Sequence, residues 1–272
     1  MKIDSTLYSY YLEYNAAYKS KSQLIRVISE NWFKDNMFCP FCTRERINIY
    51  NNNHPVADFF CDFCGEEFQL KSKRQKLGNI VVDGEYNKMI DAIYKNSVPN
   101  FLFMSYGLNF DCINDLIIIP KEFILPGIIQ KRKPLSHFAK RAGWTGCNIV
   151  LKDIPDAGKI YVIKDKNVVD IQEVRAMVER INFYRKIKDI EGRGWIADVM
   201  NVITQIKKKV FYLKDVYAYV PYLRNLHPNN NNIEAKIRQQ LQILRDNKII
   251  EFLGRGVYKK YECDSRERCP EL

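Results

Sequence analysis

Two groups of residues in this chain are of types, and at spacings, that can do chemistry. The first is Cys39-Pro-Phe-Cys42 with Cys61-Asp-Phe-Cys64, two C-x2-C pairs separated by 18 residues. Each pair turns two sulfurs toward one point, and two pairs complete a tetrahedron of thiolates, which is the four-cysteine zinc pattern. Four protein ligands leave no position for water, so the Zn²⁺ this spacing predicts is structural, not catalytic. The other four of the eight cysteines, Cys112, Cys147, Cys263 and Cys269, lack such spacing. Cys112 and Cys147 read as core thiols, and the last two fall in a polar C-terminal tail.

The second group overlaps the second cysteine pair. From Pro55 to Lys71 the chain reads PVADFFCDFCGEEFQLK. The cysteines are expected at the turn of a hairpin, with one strand leading in through Asp58 and the other leading out through Gln69 and Lys71. Side chains alternate along a strand. Glu67, Gln69 and Lys71 then share a face, Phe68 and Leu70 point into apolar packing, and Asp58 lies across on the partner strand. A carboxylate, a second oxygen ligand and a lysine form a device for phosphodiester hydrolysis. Asp58 and Gln69, with the Leu70 carbonyl as a further ligand, would hold Mg²⁺, which polarises a phosphate and acidifies a bound water. Lys71 would orient or deprotonate that water and neutralise developing charge. By itself the D-x10-Q-x-K spacing is a weak pattern that a solvated strand face also satisfies. Lys73 and Arg74, which follow at once, favour the phosphate reading.

Elements must position these groups. Residues 1–36 read as helical, with Leu24, Val27, Ile28 and Trp32 on one face. A short helix is expected over 85–95, with Met89, Ile90 and Ile93 on one side. The apolar runs 101–106, 116–119 and 160–163 read as buried strands, and 171–185 as another helix. Strands interleaved with helices imply an α/β or α+β core. The polar stretch 186–194 ends in two glycines around Arg193 and marks a domain boundary. The expected organisation is therefore a catalytic domain over 1–190, a second domain over 195–261 and a tail over 262–272.

The second domain reads as a winged helix. Its first helix spans 195–206 with Trp195, Val199 and Val202 inward, and its second spans 213–223. A third follows the asparagine run 229–232, which can cap it. On that helix Ile233, Ile237, Leu241 and Leu244 form a buried stripe. Asn231 and Asn232 at its start, and Lys236, Arg238, Gln239, Gln242 and Arg245 on its other face, suit a DNA major groove, where Arg bonds guanine and Asn or Gln bonds adenine. The segments 249–252 and 257–261 form a hairpin, the wing, whose tip Gly254-Arg255-Gly256 carries Arg255 toward a phosphate or a minor groove. Residues 195–262 hold 12 basic and 6 acidic side chains, a net charge of +6.

Charge indicates the partner. Forty-three Lys and Arg stand against 32 Asp and Glu, net +11 with a pI near 9.1, which suits a polyanion. No basic amphipathic helix with an aromatic-rich apolar face stands out, so nucleic acid is preferred to a membrane. At 46% hydrophobic and 28% charged the composition is that of a folded protein, not a disordered one. The longest aliphatic run, 116–119, falls far short of the ~20 residues a span needs, and no signal core opens the chain. A cytoplasmic location and no membrane partner are expected. Between 131 and 145 lie Lys131, Arg132, Lys133, Lys140 and Arg141 with no acid among them. Trp144 follows between Gly143 and Gly146, which let the backbone approach a partner. The cations suit phosphates, and a tryptophan face suits a methyl group or an unstacked base.

Four stretches together carry a family likeness. They are the Cys39/Cys42 pair; Pro55-Val-Ala-Asp58 through Lys71-Ser-Lys73; Arg141-Ala-Gly-Trp144-Thr-Gly-Cys-Asn148; and IRQQLQILRD at 237–246, followed by IIEF at 249–252 and Gly254-Arg-Gly256. In this set and order the chain resembles the DpnI-type methyl-directed restriction endonucleases of the PD-(D/E)XK nuclease superfamily, over nearly its whole length. The resemblance implies a zinc-containing PD-(D/E)XK domain and a winged helix, acting together as a Mg²⁺-dependent type II endonuclease on double-stranded DNA at GATC carrying N6-methyladenine. It makes Asp58, Gln69 and Lys71 the catalytic residues, places Lys140, Arg141 and Trp144 against DNA, and gives Trp144 a part in sensing the methyl group. A monomer or weak dimer is expected. One departure matters: the family carries an acidic residue where this chain has Gln69. An amide oxygen can still ligate Mg²⁺ but brings no charge, so weaker metal affinity is expected, with Glu67 available to compensate. A methyl-DNA-binding regulator that does not cut, and a protein-interaction scaffold, are the rivals from other classes.

Overall fold

The computed structural model describes residues 3–51, 54 and 56–261. Pro55, Cys263, Cys269 and the whole of 262–272 lie outside the described residues. The chain divides into two compact units, Met1–Arg193 and Gly194–Leu272.

The first unit opens with α1 (Tyr8–Tyr14) and α2 (Lys21–Asn36). The single helix expected over 1–36 is thus broken at 15–20, and 3–7 are not helical. Ser5 and Leu7 instead bond the backbone at Ile113 and Phe110. α2 buries Leu24, Ile28, Trp32 and Phe33, each of which stabilises by roughly 1.5–3 kcal/mol when removed from water. Phe33 packs on Phe59 with ring centroids 4.3 Å apart. There follow β1 (Asn48–Ile49), β2 (Phe59–Phe60), β3 (Glu67–Arg74), β4 (Ile80–Glu85), α3 (Tyr86–Tyr94), β5 (Asn100–Tyr106), β6 (Ile113–Ile119), β7 (Ile129–Lys131), β8 (Gly146–Val150), β9 (Ile160–Lys164) and β10 (Asn167–Val168). Two helices close the unit, α4 (Ile171–Arg180) and α5 (Asn182–Arg185), where one was expected.

Seven strands form one sheet in the order β1-β2-β3-β5-β6-β9-β10. Only the β3–β5 pair is parallel, because a crossover through β4 and α3 joins them. β5 is buried at every position, as a central strand covered on both faces must be. β4, β8 and β7 form a second, antiparallel sheet. Glu85 caps α3 by accepting the N–H groups of Asn87 and Lys88, the arrangement helix starts favour. Cys147 is buried, but Cys112 is only half-buried, so it is not the core thiol expected.

α6 (Ile190–Gln205) begins earlier than expected. The Asp189 carboxylate accepts the N–H groups of Glu191 and Gly192, and this cap draws the glycine-containing stretch into the helix. Beyond it lie β11 (Val210–Tyr212), α7 (Leu213–Tyr217), α8 (Val220–Leu226), α9 (Ile233–Asp246), β12 (Ile250–Gly254) and β13 (Val257–Lys260). The single helix expected over 213–223 is two, with Pro221 in the first turn of α8. On α9 the stripe Ile233, Ile237, Leu241 and Leu244 is buried. Asn232 stands at its start without a side-chain cap bond; Asn230 instead accepts the Asn232 N–H and closes the turn. β11 pairs with β13, adding a third strand to the expected hairpin. Trp195 is buried and stacks on His227 at 3.7 Å, and His227 bonds Asp198. No helix among the described residues is long and apolar enough to cross a membrane.

Candidate active site and nucleic-acid interface

The cysteine pairs meet. The four sulfurs lie within 4.8 Å of one another, with Cys39 Sγ 3.5 Å from Cys64 Sγ and Cys42 Sγ 3.6 Å from Cys61 Sγ. A Zn–S bond of ~2.3 Å makes the edge of a ZnS₄ tetrahedron ~3.8 Å, so these separations suit a metal and far exceed a disulfide bond. Gly65 takes a φ of 72° directly after Cys64, a left-handed turn that costs glycine nothing. It lets the chain turn back so that Cys61 N–H reaches the Glu66 carbonyl. The four cysteines can hold zinc; Cys61 and Cys64 sit at the turn joining β2 to β3, and Cys39 and Cys42 reach them from the segment between α2 and β1.

That turn sets the neighbouring residues. Asp58 is latched to β3 twice: its N–H donates to the Phe68 carbonyl and its Oδ2 accepts the Leu70 N–H, both at 2.8 Å. Burial pushes the Asp58 carboxyl up, against the Leu70 N–H and the charges of Arg26, Lys71 and His54. Gln69 is half-buried, and among the described residues no hydrogen bond engages its amide. Phe68 is buried as expected, whereas Leu70 is only half-buried and lines a cleft between α2 and the β3–β4 region. Glu67 is not idle on its face: its Oε1 accepts the Tyr50 hydroxyl at 2.6 Å. Burial, then Glu67, pushes that hydroxyl up to about 12.

Lys71 is held from another sheet. Its Nζ lies 2.5 Å from Asp83 Oδ1 on β4, and the Asp83 side chain is 7% exposed. On the α2 side, Arg26 Nε meets Glu30 Oε1 at 2.6 Å. Burial raises the Glu30 carboxyl, Arg26 opposes this, and Asp58 adds to the rise. Glu30, Arg26, Asp58, Lys71 and Asp83 thus alternate in sign through the site, with neutral Gln69 among them. Arg26, Glu30 and Asp83 were not picked out from sequence. An i,i+4 Arg–Glu pair on α2 and an acid directly after an aliphatic run, Ile-Val-Val-Asp83, are the signals that could have found them.

A further charged group braces the zinc hairpin from below. Glu66 accepts Arg185 at 2.5 Å and Lys121 and Asn100 at 2.9 Å. Burial alone would raise its carboxyl, but Asn100 and Lys121 outweigh it and hold Glu66 below its ordinary value.

The basic loop is an ordered excursion between β7 and β8. Arg132 N–H donates to Gly146 O, Leu135 N–H to Trp144 O and Gly143 N–H to Leu135 O. Lys140 and Arg141 are exposed and Trp144 is half-buried. A Cβ on Gly146 would lie 2.9 Å from the Trp144 ring, which would have to shift to admit it. In the second unit Asn231, Asn232, Arg238, Gln239, Gln242 and Arg255 are exposed, and Lys236 is half-buried. Arg238 Nη1 also donates to the Tyr217 hydroxyl at 2.6 Å.

A family model described as DpnI, the Dam-replacing family, matches residues 7–187, and one described as DpnI_C, the Dam-replacing HTH domain, matches 191–260. The chain belongs to the Dam-replacing (DpnI) family. Membership carries methylation-dependent, restriction-type DNA cleavage as its activity class, with a helix-turn-helix domain to bind DNA. α6, α7, α8 and α9 fall in the region matched as the HTH domain, and the cysteine cluster and Asp58 belong to the larger Dam-replacing region.

Proposed function

We propose that this chain is a methylation-dependent type II endonuclease that hydrolyses double-stranded DNA at GATC sites carrying N6-methyladenine. In this reading residues 1–190 form a zinc-braced PD-(D/E)XK catalytic domain and 195–261 a winged helix, acting as a monomer or weak dimer. The observation that carries the reading is the latch of Asp58 onto β3 at Leu70, one residue from the free Gln69 amide and from Lys71.

The donor set suits Mg²⁺, because the Asp58 carboxylate, the Gln69 amide and the Leu70 carbonyl are all hard oxygen ligands. When bound, Mg²⁺ supplies charge neutralisation at the phosphate and lowers the pKa of a water. Lys71 orients the attacking water and compensates charge on the phosphate oxygens. Asp83 keeps the Lys71 ammonium in place. Zn²⁺ on Cys39, Cys42, Cys61 and Cys64 fixes the hairpin that carries Asp58. Lys140 and Arg141 take phosphates, and Trp144 senses the adenine methyl. Asn231, Asn232, Lys236, Arg238, Gln239 and Gln242 read the major groove, with Arg255 reaching beside it.

One observation favours a second reading. Gln69 puts a neutral amide beside Asp58, and the one acid of β3, Glu67, is engaged by the Tyr50 hydroxyl, as in a methyl-DNA reader that no longer cuts. Two plasmids differing only in adenine methylation at GATC, incubated with the protein and Mg²⁺, separate the readings. Cutting of the methylated plasmid alone supports the nuclease, and Lys71→Ala should abolish it while binding survives. Tighter binding of the methylated plasmid without cutting supports the reader. Equal cutting of both removes the methyl-sensing role of Trp144.

A further inference from the structure

Phe138 is 100% exposed. The next most exposed large apolar side chain among the described residues, Phe63, stands at 69%. Nothing in the fold uses the Phe138 ring, although burying it would be favourable. Its loop is not loose. Arg132, Leu135 and Gly143 make the backbone bonds of a closed hairpin, and Ser136 O accepts the Ala139 N–H at the turn carrying Phe138. Gly143 takes a φ of 79° on the return arm.

The surroundings of the ring are one-signed. No acidic residue occurs between 131 and 152. Arg132, Lys133, Lys140 and Arg141 are exposed, and among the described residues none has an ion-pair partner. An apolar ring within such a cluster is complementary to a nucleic acid, whose phosphates meet the cations and whose bases meet the ring. The base of the hairpin lies beside the candidate active site. Gly146 pairs with Glu85 and Cys147 with Asp83 across β4 and β8, and Asp83 holds Lys71.

We infer that Phe138 is a wedge that the catalytic unit inserts between stacked bases of the bound duplex, next to the site of cleavage. Apolar side chains used in this way unstack a base step and bend the duplex. The inference rests on the reading that this unit engages DNA.

The test uses the full chain without Mg²⁺, so it does not depend on cutting. Duplexes containing a methylated GATC site carry 2-aminopurine at successive positions, and its fluorescence rises when it is unstacked. Wild type should raise the signal several-fold at one step. Phe138→Ala should lose that rise while affinity falls by no more than about tenfold, and Phe138→Trp should restore it. The slope of log K against log salt should be unchanged in Phe138→Ala, because the ring contacts no phosphate, and should fall by about one in Lys140→Ala. Binding by wild type with no rise at any position, or an undiminished rise in Phe138→Ala, overturns the wedge alone. A wild-type chain that binds no duplex overturns the wedge and the nuclease reading together.

Discussion

Lys71 Nζ meets Asp83 Oδ1 at 2.5 Å and thereby ties β3 of the large sheet to β4 of the small one. A lysine side chain has several rotatable bonds and is held poorly by packing alone. With Asp83 almost wholly buried, the ammonium is fixed by a charge-assisted bond. Asp83→Asn keeps the shape but loses the charge. It should cost ~1.5–3 kcal/mol of stability and slow cutting by about 10- to 100-fold, since each ~1.4 kcal/mol on the barrier is tenfold. DNA affinity should be unchanged. Single-turnover cleavage and filter binding read the two effects, and parallel loss of both would mean that Asp83 only holds the fold.

The charge at position 69 is the second test. Gln69→Glu returns a carboxylate beside Asp58, and among the described residues no hydrogen bond to the amide would be lost. Cutting should be retained or raised, with saturation at a lower Mg²⁺ concentration, because a charged ligand binds a hard cation more tightly than an amide. A Mg²⁺ titration of the cleavage rate measures this. An inactive Gln69→Glu protein would show that position 69 does not face the metal.

What could be read from sequence follows the range of the interaction involved. The zinc pairs, the α9 stripe and the strands around β5 and β6 are set by local spacing and apolar runs, so their patterns carry them. The breaks at 15–20 and at 218–219, and the early start of α6 at Asp189, depend on single caps and turns that periodicity does not weigh. Asp83 and Glu30 reach the site through a crossover and a helix packing, contacts of 12 to about 40 residues in sequence separation that no local pattern encodes. Phe138 carries no signal of its own within the basic stretch 131–145, since alternation and charge say nothing about where a ring at a hairpin tip will point.

Asp58 sets a pH dependence with opposite signs for activity and stability. Burial raises its folded-state pKa above that of the unfolded chain. Its contribution to stability is therefore fully present below the unfolded value and is lost as pH rises through the folded one. Holding a cation needs the ionised form, so the acid limb of the cleavage profile should begin at a higher pH than an ordinary carboxylate would give. Asp58→Asn removes the buried charge while its amide oxygen can still accept the Leu70 N–H. At pH 7 it should melt at or above the wild-type temperature and cut at least about 100-fold more slowly. Melting curves from pH 4 to 8 on both proteins check the sign, and a large drop in melting temperature for Asp58→Asn at pH 7 would refute it.

Zinc should couple folding to catalysis. Cys61 and Cys64 lie in the turn between β2 and β3, Cys39 and Cys42 join them from the segment after α2, and the same turn sets the register in which Asp58 bonds Phe68 and Leu70. Structural zinc sites contribute on the order of 10 kcal/mol, far more than the two hydrogen bonds of the latch at about 1 kcal/mol each. Removing the metal should therefore release Asp58 before the rest of the first unit unfolds, because β5 and β6 remain buried without it. Purified protein should carry one zinc per chain. Prolonged chelation, or Cys61→Ser, should lower the melting temperature, abolish cutting and speed hydrogen exchange at the Leu70 amide more than at amides of β5. Uniform acceleration across both strands would instead make the metal a support for the whole unit, and a chain that keeps its melting temperature after chelation would remove the zinc assignment.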